Sequence, residues 1–258
     1  IVHYGFMERP DVPRALELCR QFGLSFDLMQ TTFFLGRETL IPARRSELRR
    51  WQAALFIAMQ TERVRVGQLG VVLPADNPLR VAEDIAMLDH MSGGRADAGF
   101  ARGYQRRWVD TMAQQTHGVV GVQPHEHDEI DQTNRRAFEE CHRIVTSAWT
   151  QDLLQVDGEF WRVPVAGTPW DVESTDRYGS GVEHGEVVAL GPVPKPLQDP
   201  HPPLFQPFAS SERSIRWCAQ EGVTAILPPL HPVLEQRLTD LYAGESGRPP
   251  GDGLALLR

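Results

Sequence analysis

Residues 61–104 decide the fold, and they read TERVRVGQLGVVLPADNPLRVAEDIAMLDHMSGGRADAGFARGY. A strand over Val64–Leu73 starts with alternating apolar and charged residues and ends in an unbroken apolar run, which is typical of a strand entering a buried parallel sheet. Asn77-Pro78 then provides an N-cap and a first-turn proline for a helix that ends at Gly93-Gly94. A second strand follows over Ala96–Ala101. This order predicts parallel strands joined by a helical crossover.

The rest of the chain repeats this alternation of short strands and amphipathic helices. Further strands are predicted at Leu204–Phe208 and Val223–Leu227, and helices at Glu47–Gln60, Ile130–Trp149, Ser211–Gln220 and His231–Tyr242. Residues 105–128 and the tail after Gly244 are expected to be irregular, and a hairpin is predicted around Asp157-Gly158. The fold class is α/β, a partial or irregular (β/α)8 TIM-barrel-like parallel sheet. A closed barrel needs about eight strands, and the pattern supplies about six or seven.

Composition excludes several classes of protein. The 258 residues carry 26 basic and 34 acidic side chains, and the net charge of −8 disfavours a nucleic-acid partner. The longest apolar run, Ala53–Met59, is far shorter than the ~20 residues of a membrane-spanning helix. No secretory leader opens the chain, which begins with Ile rather than Met, as a fragment would. Cys19, Cys141 and Cys218 are widely spaced, which indicates buried free thiols in a reducing, cytoplasmic environment.

An ordered series of motifs runs from Thr61 into the second half of the chain. The segments are Thr61–Gly67, Val71–Pro74, Asn77–Asp84, Leu88–Arg95, Gly99–Tyr104, Pro194–Gln198 and Pro200–Pro203. Through them the chain resembles the bacterial-luciferase-like family of flavin monooxygenases. The resemblance implies a TIM barrel, an oxidoreductase activity on a small organic substrate, and reduced FMN or coenzyme F420 as cofactor. It also implies a flavin reductase as a partner and leaves a homodimer open.

The first sixty residues carry a different set of motifs. Residues 3–8, 10–13 and 34–42 resemble the cytosolic C-terminal region of the potassium uptake permease family. The sequence thus predicts an α/β segment over 1–60 and an incomplete luciferase-like barrel portion over 61–258, joined as a natural fusion, an assembly artefact or a chimera. Residues 1–60 also read strand, helix, strand, helix, and so fit the place of missing barrel units. The alternative function is a soluble fragment of a potassium transporter fused to a non-functional barrel piece.

Active sites of barrels lie at the carboxyl ends of the strands. This rule selects Leu69–Ala75 after one strand and Ala101–Tyr104 after the next. The resemblance selects the same places, since it puts the backbone near Gln68 and Leu69 against the flavin ring and the turn from Ala101 to Tyr104 beside the flavin. Gln68, Leu69, Ala101 and Arg102 are therefore predicted cofactor-binding residues.

Arg102 and Tyr104 are the predicted catalytic residues. The Arg102 guanidinium is suited to bidentate binding of a flavin phosphate or a substrate anion, and the alternative is a salt bridge to Asp89 or Asp97. Tyr104 either stacks or hydrogen-bonds in the pocket, or only covers the strand end.

Ser210, Ser211 and Ser214 lie between a predicted strand and a predicted helix. Free backbone N–H groups and a partial positive charge make a helix start suitable for a phosphate. The resemblance places the flavin phosphate here, and the alternative is an ordinary serine N-cap. Glu212 opposes a phosphate unless its carboxylate points away, and Arg213 is a candidate to compensate it.

Other site types are not supported. His125-Glu126-His127 lacks the HExxH spacing, so no metal site is predicted. The chain contains neither a GxSxG elbow nor a Walker motif, which argues against a hydrolase triad or a nucleotidase. The segment 151–190 falls where the family carries a variable substrate lid, and its composition is typical of a mobile loop.

Overall fold

The computed structural model describes Glu17 and residues 50–103, 106–114, 116–122 and 129–256. The elements expected before residue 50 lie outside the described residues. The chain divides into two compact units. Unit 1 comprises Ile1–Val71, Met91–Ala101 and Pro202–Arg258, and unit 2 comprises Val72–His90 and Arg102–His201.

The described helices and strands alternate through the barrel-like part of the chain. In order they are α1 (Arg50–Met59), β1 (Val66–Val72), α2 (Pro78–Ser92), β2 (Ala96–Ala101), α3 (Arg106–Ala113), α4 (Glu129–Thr150), β3 (Val156–Asp157), β4 (Arg162–Val163), α5 (Glu173–Tyr178), β5 (Val182–Glu183), β6 (Glu186–Val187), β7 (Leu204–Pro207), α6 (Glu212–Gln220), β8 (Thr224–Leu227), α7 (Pro232–Ser246) and β9 (Leu254–Leu256). Single 3-10 turns lie at Leu73–Ala75 and Thr116–Gly118.

A five-stranded sheet with the order β1-β2-β7-β8-β9 forms the centre of unit 1. The pairs β2–β7, β7–β8 and β8–β9 are parallel, with Ala98 opposite Leu204 and Ile226 opposite Ala255. Strands β1 and β9 are the edges of this sheet, so the barrel is not closed by the described strands. The predicted fold class, a partial TIM-barrel-like α/β sheet, is confirmed.

Side chains from successive strands meet on one face of this sheet. Leu69, Phe205 and Ile226 form an apolar cluster, and Ala255 packs against it. Residues two apart along a strand share a face, so each of these strands contributes its alternate residues to the same layer. All seven residues of β1 are buried. The sheet therefore has an apolar interior of the kind that parallel strands require.

The amino ends of β1 and β2 are joined by an ion pair. Arg65 donates from Nε and Nη2 to Asp97 Oδ1 at 2.9 and 2.7 Å, and from Nη2 to the Ala96 carbonyl at 2.8 Å. Asp97 is almost fully buried, so the guanidinium satisfies a carboxylate that would otherwise be costly to bury. This contact fixes the relative position of the two strands at the edge opposite the predicted site.

Two predictions of irregular structure were wrong. The tail after Gly244 was expected to be loose, but α7 continues to Ser246 and β9 pairs in parallel with β8. A strand of only three residues, Leu254–Leu256, is too short for a periodic signal. Helix α3 lies within residues 105–128, and its eight residues are too few to show a clear helical period inside a polar stretch.

Unit 2 is held together by side chains that bond to backbone atoms. Asn77 Oδ1 accepts from the Leu79 and Arg80 N–H groups, which confirms it as the N-cap of α2. Trp149 of α4 donates from Nε1 to the Ala82 carbonyl of α2 at 3.0 Å. Lys195 donates from Nζ to the Ala148 carbonyl near the end of α4 at 2.7 Å, where a cation is favoured.

Among the described helices, none combines the length and the apolar character needed to cross a membrane.

Candidate functional site

The carboxyl ends of β2 and β7 lie at the same edge of the unit 1 sheet, because these neighbouring strands are parallel. The chain leaves β7 through Phe208, whose φ of 58° lies in the left-handed region. A bulky residue rarely adopts this conformation, and such strain concentrates at functional sites. The next residue is anchored by a bond from the Ala209 N–H to the Ile226 carbonyl at 3.1 Å. Sequence reasoning missed this turn, because no glycine marks it.

Ser211 is the N-cap of α6. Its Oγ accepts from the Ser214 N–H at 3.2 Å, and its hydroxyl donates to Ser214 Oγ at 2.9 Å. Ser214 is buried, whereas Ser210 and Ser211 are exposed. A hydroxyl that accepts one bond still has its own hydrogen to donate, so Ser214 offers a donor at the helix start. Ser211 is therefore an N-cap of α6, and this role is compatible with a phosphate site at the same helix start.

Glu212 does not oppose an anion at this helix start. Its carboxylate pairs with the Arg237 guanidinium on α7, which neutralises the charge and directs it to the neighbouring helix. The sequence offered Arg213 for this task, and the structure assigns it to Arg237. The pairing of Glu212 with Arg237 could not be predicted from the sequence, because the packing of α6 against α7 brings these two residues together.

Three further predicted residues lie on β1 and β2. Leu69 belongs to the apolar cluster, and Gln68, the preceding residue, is also buried and faces the opposite side of the sheet. Ala101 is the last residue of β2 and is buried. The two strands approach closely, since a Cβ on Gly99 would lie 2.2 Å from Leu69 Cα. The structure thus brings these three residues together on adjacent strands of one unit.

Arg102 lies in unit 2, directly after β2 in the chain. It donates from Nη1 to Asp131 Oδ1 at 2.6 Å, with side chains that are 27% and 10% exposed. The predicted alternative partners were wrong, since Asp97 pairs with Arg65 and Asp89 accepts two bonds from Gln198. Tyr104 lies outside the described residues.

The turn after Arg102 requires glycine. Gly103 has φ of +86°, and a Cβ there would lie 2.6 Å from Val72 Cγ1 and 2.7 Å from Val109 Cγ2. Both the backbone conformation and the lack of space exclude a side chain. The direction in which the chain leaves Arg102 is therefore fixed by the packing of its neighbours.

Helices α3 and α4 both hold the segment 119–122. Asn134 donates from Nδ2 to the Val120 carbonyl at 2.5 Å, and Asp110 Oδ1 accepts from the Gly121 N–H at 2.7 Å. Asn134 and Asp131 are three residues apart, so they lie on one face of α4. Asp131 was missed at the sequence level, and its only signal was an acidic side chain in the first turn of a helix.

A buried carboxylate fixes the predicted hairpin, which the structure confirms as β3 and β4. Glu140 of α4 accepts from the N–H groups of Glu159, Phe160 and Trp161 at 2.8, 3.0 and 2.8 Å. A Cβ on Gly158 would lie 2.2 Å from Glu140 Oε1, so this turn also needs glycine. The start of the segment expected to form a lid is therefore anchored to α4.

Buried thiols occur in each unit. Burial raises the pKa of Cys141 to about 12, and it also raises the pKa of Cys218, whose Sγ–H donates to Gln206 Oε1 at 2.8 Å. Both are free cysteines, as predicted, and Cys19 lies outside the described residues. Such protonated thiols are poor nucleophiles and poor metal ligands. Over the described ranges no cluster of three metal-ligating side chains forms, and His125 and His127 fall outside them.

His142 of α4 is a buried base. Burial lowers its pKa to about 4, and electrostatic interaction with His201 and Arg143 acts in the same direction. Below its unfolded pKa of 6.5 the unfolded chain binds this proton and the folded chain does not, so stability falls as the pH drops from 6.5 towards 4. We expect this histidine to account for a loss of about 3 kcal/mol in the free energy of unfolding between pH 7 and pH 4.

Denaturant unfolding at several pH values measures this contribution. His142→Gln is expected to flatten the pH dependence by that amount, because glutamine does not titrate. The exposed His184 provides a matched control, since its replacement by Gln removes a histidine without touching the buried position. Parallel curves for the wild type and His142→Gln would contradict the assignment.

Part of the chain is similar to potassium transport proteins. It is 49% identical over 63 residues to a probable potassium transport system protein Kup 1 of Paramagnetospirillum magneticum, and 62% identical over 56 residues to a Kup protein of Methylococcus capsulatus. These matches cover 24% and 22% of the chain but only 10% and 9% of the transport proteins. The chain thus spans about a tenth of these relatives.

The fold is similar to that of several solved enzymes. A monooxygenase from Streptomyces bottropensis superposes with a TM-score of 0.57 at 22% identity, covering 80% of this chain and 53% of that one. The oxygenating constituent of 3,6-diketocamphane monooxygenase from Pseudomonas putida, in complex with FMN, gives 0.56 at 16% identity, covering 79% and 50%. The coenzyme F420 dependent tetrahydromethanopterin reductase of Methanopyrus kandleri gives 0.54 at 17% identity, covering 80% and 52%. The chain spans about half the length of each.

A family model described as luciferase-like monooxygenase matches residues 35–252, most of the chain. The match includes β1, β2, β7 and β8 of the five-stranded sheet together with α6 and α7, and it ends just before β9. It begins upstream of Thr61, so it also takes in α1. The chain belongs to the luciferase-like monooxygenase family.

Proposed function

We propose that this chain is a flavin-dependent oxidoreductase of the luciferase-like class, acting as a monooxygenase with reduced FMN or coenzyme F420 on a small organic substrate. Family membership supports the general class, and the similar structures include a monooxygenase in complex with FMN and a coenzyme F420 dependent reductase. One observation carries the proposal. The helix start at Ser211 lies at the carboxyl edge of the unit 1 sheet, and the one carboxylate in its first turn is neutralised by Arg237.

The donors at this helix start suit a phosphate. A phosphate oxyanion needs N–H or O–H donors and positive charge, and a helix start supplies both. Ser214 adds a hydroxyl donor, and Ser210 and Ser211 remain exposed to a ligand. In unit 2, Arg102 provides a guanidinium for an anion of the cofactor or the substrate. The residues present therefore fit a cofactor with a phosphate tail.

The proposed roles of the chain's residues are mostly binding and exclusion of water. The strand backbone at Gln68 and Leu69 and the end of β2 at Ala101 would face the ring system, and the apolar cluster around Leu69 would keep water from that face. Arg102 and Tyr104 would orient the reacting groups. When bound, the reduced cofactor supplies the electrons of the reaction. We further propose a flavin reductase as the source of reduced cofactor.

The second candidate is a fragment of a potassium transport protein joined to a non-functional barrel piece. The similarity to the Kup proteins favours it. Both candidate functions use the same proposed domain division, with one segment over 1–60 and a second over 61–258. Titration with FMN or coenzyme F420 separates them, because the enzyme is expected to quench the cofactor's fluorescence, and the fragment is expected to leave it unchanged at tens of micromolar.

Ser211→Asp is expected to weaken FMN binding about tenfold or more while the protein stays folded. Aspartate caps a helix as well as serine does, so α6 is preserved, but its charge repels a phosphate. Fluorescence titration with FMN and with riboflavin, which lacks the phosphate, measures the effect. Riboflavin affinity should not change.

Ser180→Asp is the matched control, because it introduces the same charge at an exposed position in unit 2. It is expected to leave FMN affinity at the wild-type value. Equal FMN affinity in Ser211→Asp and wild type would remove the phosphate from this helix start.

A further inference from the structure

Residues 164–201 of unit 2 are ordered without a buried core of their own. None of the residues whose exposure the structure describes in this segment is buried. The Trp170 N–H donates to the Gly185 carbonyl at 2.8 Å, and this bond adds 168–170 as a third row beside the β5–β6 hairpin. We call these three rows the outer sheet. Sheets of so few residues need a packed face to be stable in water.

One face of the outer sheet is acidic. Residues opposite each other in paired strands share a face, and Glu183 lies directly opposite Glu186. Both side chains are exposed, and no ion pair to either carboxylate is found within the described ranges. Like charges in this position repel each other and destabilise the pairing of β5 with β6. A cation from outside the outer sheet would relieve this repulsion.

The other face is apolar and only partly covered. Val182 lies opposite Val187 on this face, and Trp170 shares it because its neighbour Pro169 lies opposite Glu186. Trp170 is 39% exposed, and both valines are partly exposed. Further exposed apolar side chains in the same segment are Val165, Val172 and Tyr178. An exposed apolar area beside charged residues is typical of an interaction surface.

The charge of residues 164–201 indicates what kind of partner fits. The segment carries six acidic and two basic side chains, and both basic ones have contacts within it or with α4. Lys195 donates to the Ala148 carbonyl, and the Arg177 guanidinium lies 5.2 Å from the centre of the Tyr178 ring. Nucleic acids and anionic membranes are therefore repelled. A second copy of this chain, with its net charge of −8, is disfavoured for the same reason.

We propose that the apolar face of the outer sheet is a docking surface for another protein, one that carries lysine or arginine side chains around an apolar centre. The apolar centre packs on Trp170, and the cations reach the carboxylates of Glu183 and Glu186. The two faces belong to one thin sheet, so its charges act on both sides over a Debye length of ~10 Å. Complementary charge speeds such an encounter, and a buried aromatic side chain supplies much of the affinity.

A short dye-labelled peptide of alternating leucine and lysine is the probe, because it combines apolar and basic side chains. A peptide of alternating leucine and glutamate is its counterpart. In fluorescence anisotropy titrations at low salt, we expect the wild type to prefer the lysine peptide at least about tenfold. Trp170→Ala is expected to lower the affinity for this peptide about tenfold. Glu183→Lys combined with Glu186→Lys is expected to abolish the preference between the two peptides.

The matched control combines Asp240→Lys with Asp252→Lys, two exposed carboxylates of unit 1. It changes the net charge of the protein by the same amount, and it is expected to keep the preference within about twofold of the wild type. Val172→Ser keeps the test decisive if Trp170→Ala does not fold. Val172 is 42% exposed and follows Trp170 by two residues on the same side, so its replacement is also expected to weaken binding.

Four results overturn the inference. The first is equal affinity of the wild type for the two peptides, and the second is wild-type affinity in Trp170→Ala or, where that variant does not fold, in Val172→Ser. The third is the same loss of preference in the control as in the doubly reversed outer sheet. The fourth is a wild-type dimer in analytical ultracentrifugation that Trp170→Ala dissociates, which would show that a second copy covers this face. No flavin enters these measurements, so each result leaves the proposed function untouched.

Discussion

Gly99→Ala is expected to lower the free energy of unfolding by more than about 3 kcal/mol, the upper end of the usual cost of overpacking. A Cβ at this position would lie 2.2 Å from Leu69 Cα, 2.6 Å from its carbonyl carbon and 2.8 Å from its oxygen. These atoms are the backbone of β1, which cannot rotate away as a side chain would. Gly99 is also opposite Phe205 on β7, so β2 is confined from both sides. The added methyl would have to separate β1 from β2.

Denaturant unfolding measures the free energy of unfolding of Gly99→Ala, and Gly244→Ala is the matched control. Gly244 lies in α7, and nothing is within 4 Å of a Cβ built on it. Alanine there is expected to be neutral or to stabilise the protein by up to about 1 kcal/mol, because glycine is unfavourable inside a helix. Equal stability of the two variants would show that β1 and β2 are not as close as the structure has them.

The strands and helices that position the site were largely predictable, because local chemistry defines them. The alternating start and apolar end of Val64–Leu73 and the cap at Asn77 predicted β1 and α2, and the bounds of β2 agree with the prediction. Ser211 was identified as a helix start in the same way. Caps and apolar patterns of this kind involve residues that are close in sequence, so they can be recognised without knowledge of the tertiary contacts.

Contacts between distant residues were not predictable in the same way. Asp131, 29 positions from Arg102, is its partner, whereas the two aspartates suggested by the sequence are taken by other groups. The left-handed turn at Phe208 is imposed on a residue that does not favour it, so no local signal existed. β9 is a strand because β8 pairs with it. Each of these features depends on packing and not on propensity.

The same distinction applies to the proposed boundary at Thr61. Motifs on the two sides resemble different families, yet the residues around this position share one set of hydrogen bonds. Arg95, which precedes β2, donates to Thr61 Oγ1 and to the carbonyl oxygens of Ala58 and Thr61. It also donates to the carbonyls of Val64 and Ser92. The end of α1 and the start of β1 are thus organised by a residue of the luciferase-like part.

Arg95→Ala is therefore expected to lower the free energy of unfolding by about 4 kcal/mol. All five N–H groups of the guanidinium find acceptors, and four of the bonds go to the α1–β1 connection. Removing them leaves part-buried carbonyl oxygens without a donor, which costs more than the bonds alone contribute. Because α1 loses its link to the sheet, its amides should exchange hydrogen faster than those of α6, which does not contact Arg95 through these bonds.

Arg80→Ala is the matched control, because Arg80 is 79% exposed and pairs with Glu83 three residues away on α2. Exposed pairs of this kind contribute little, so a change below about 0.5 kcal/mol is expected. Denaturant unfolding with hydrogen exchange by mass spectrometry distinguishes the two variants. If Arg95→Ala were no less stable than Arg80→Ala, and α1 kept its protection, α1 would be joined to the barrel strands by some other contact. A large loss confined to α1 exchange would instead show that the helix depends on this single side chain for its place beside β1.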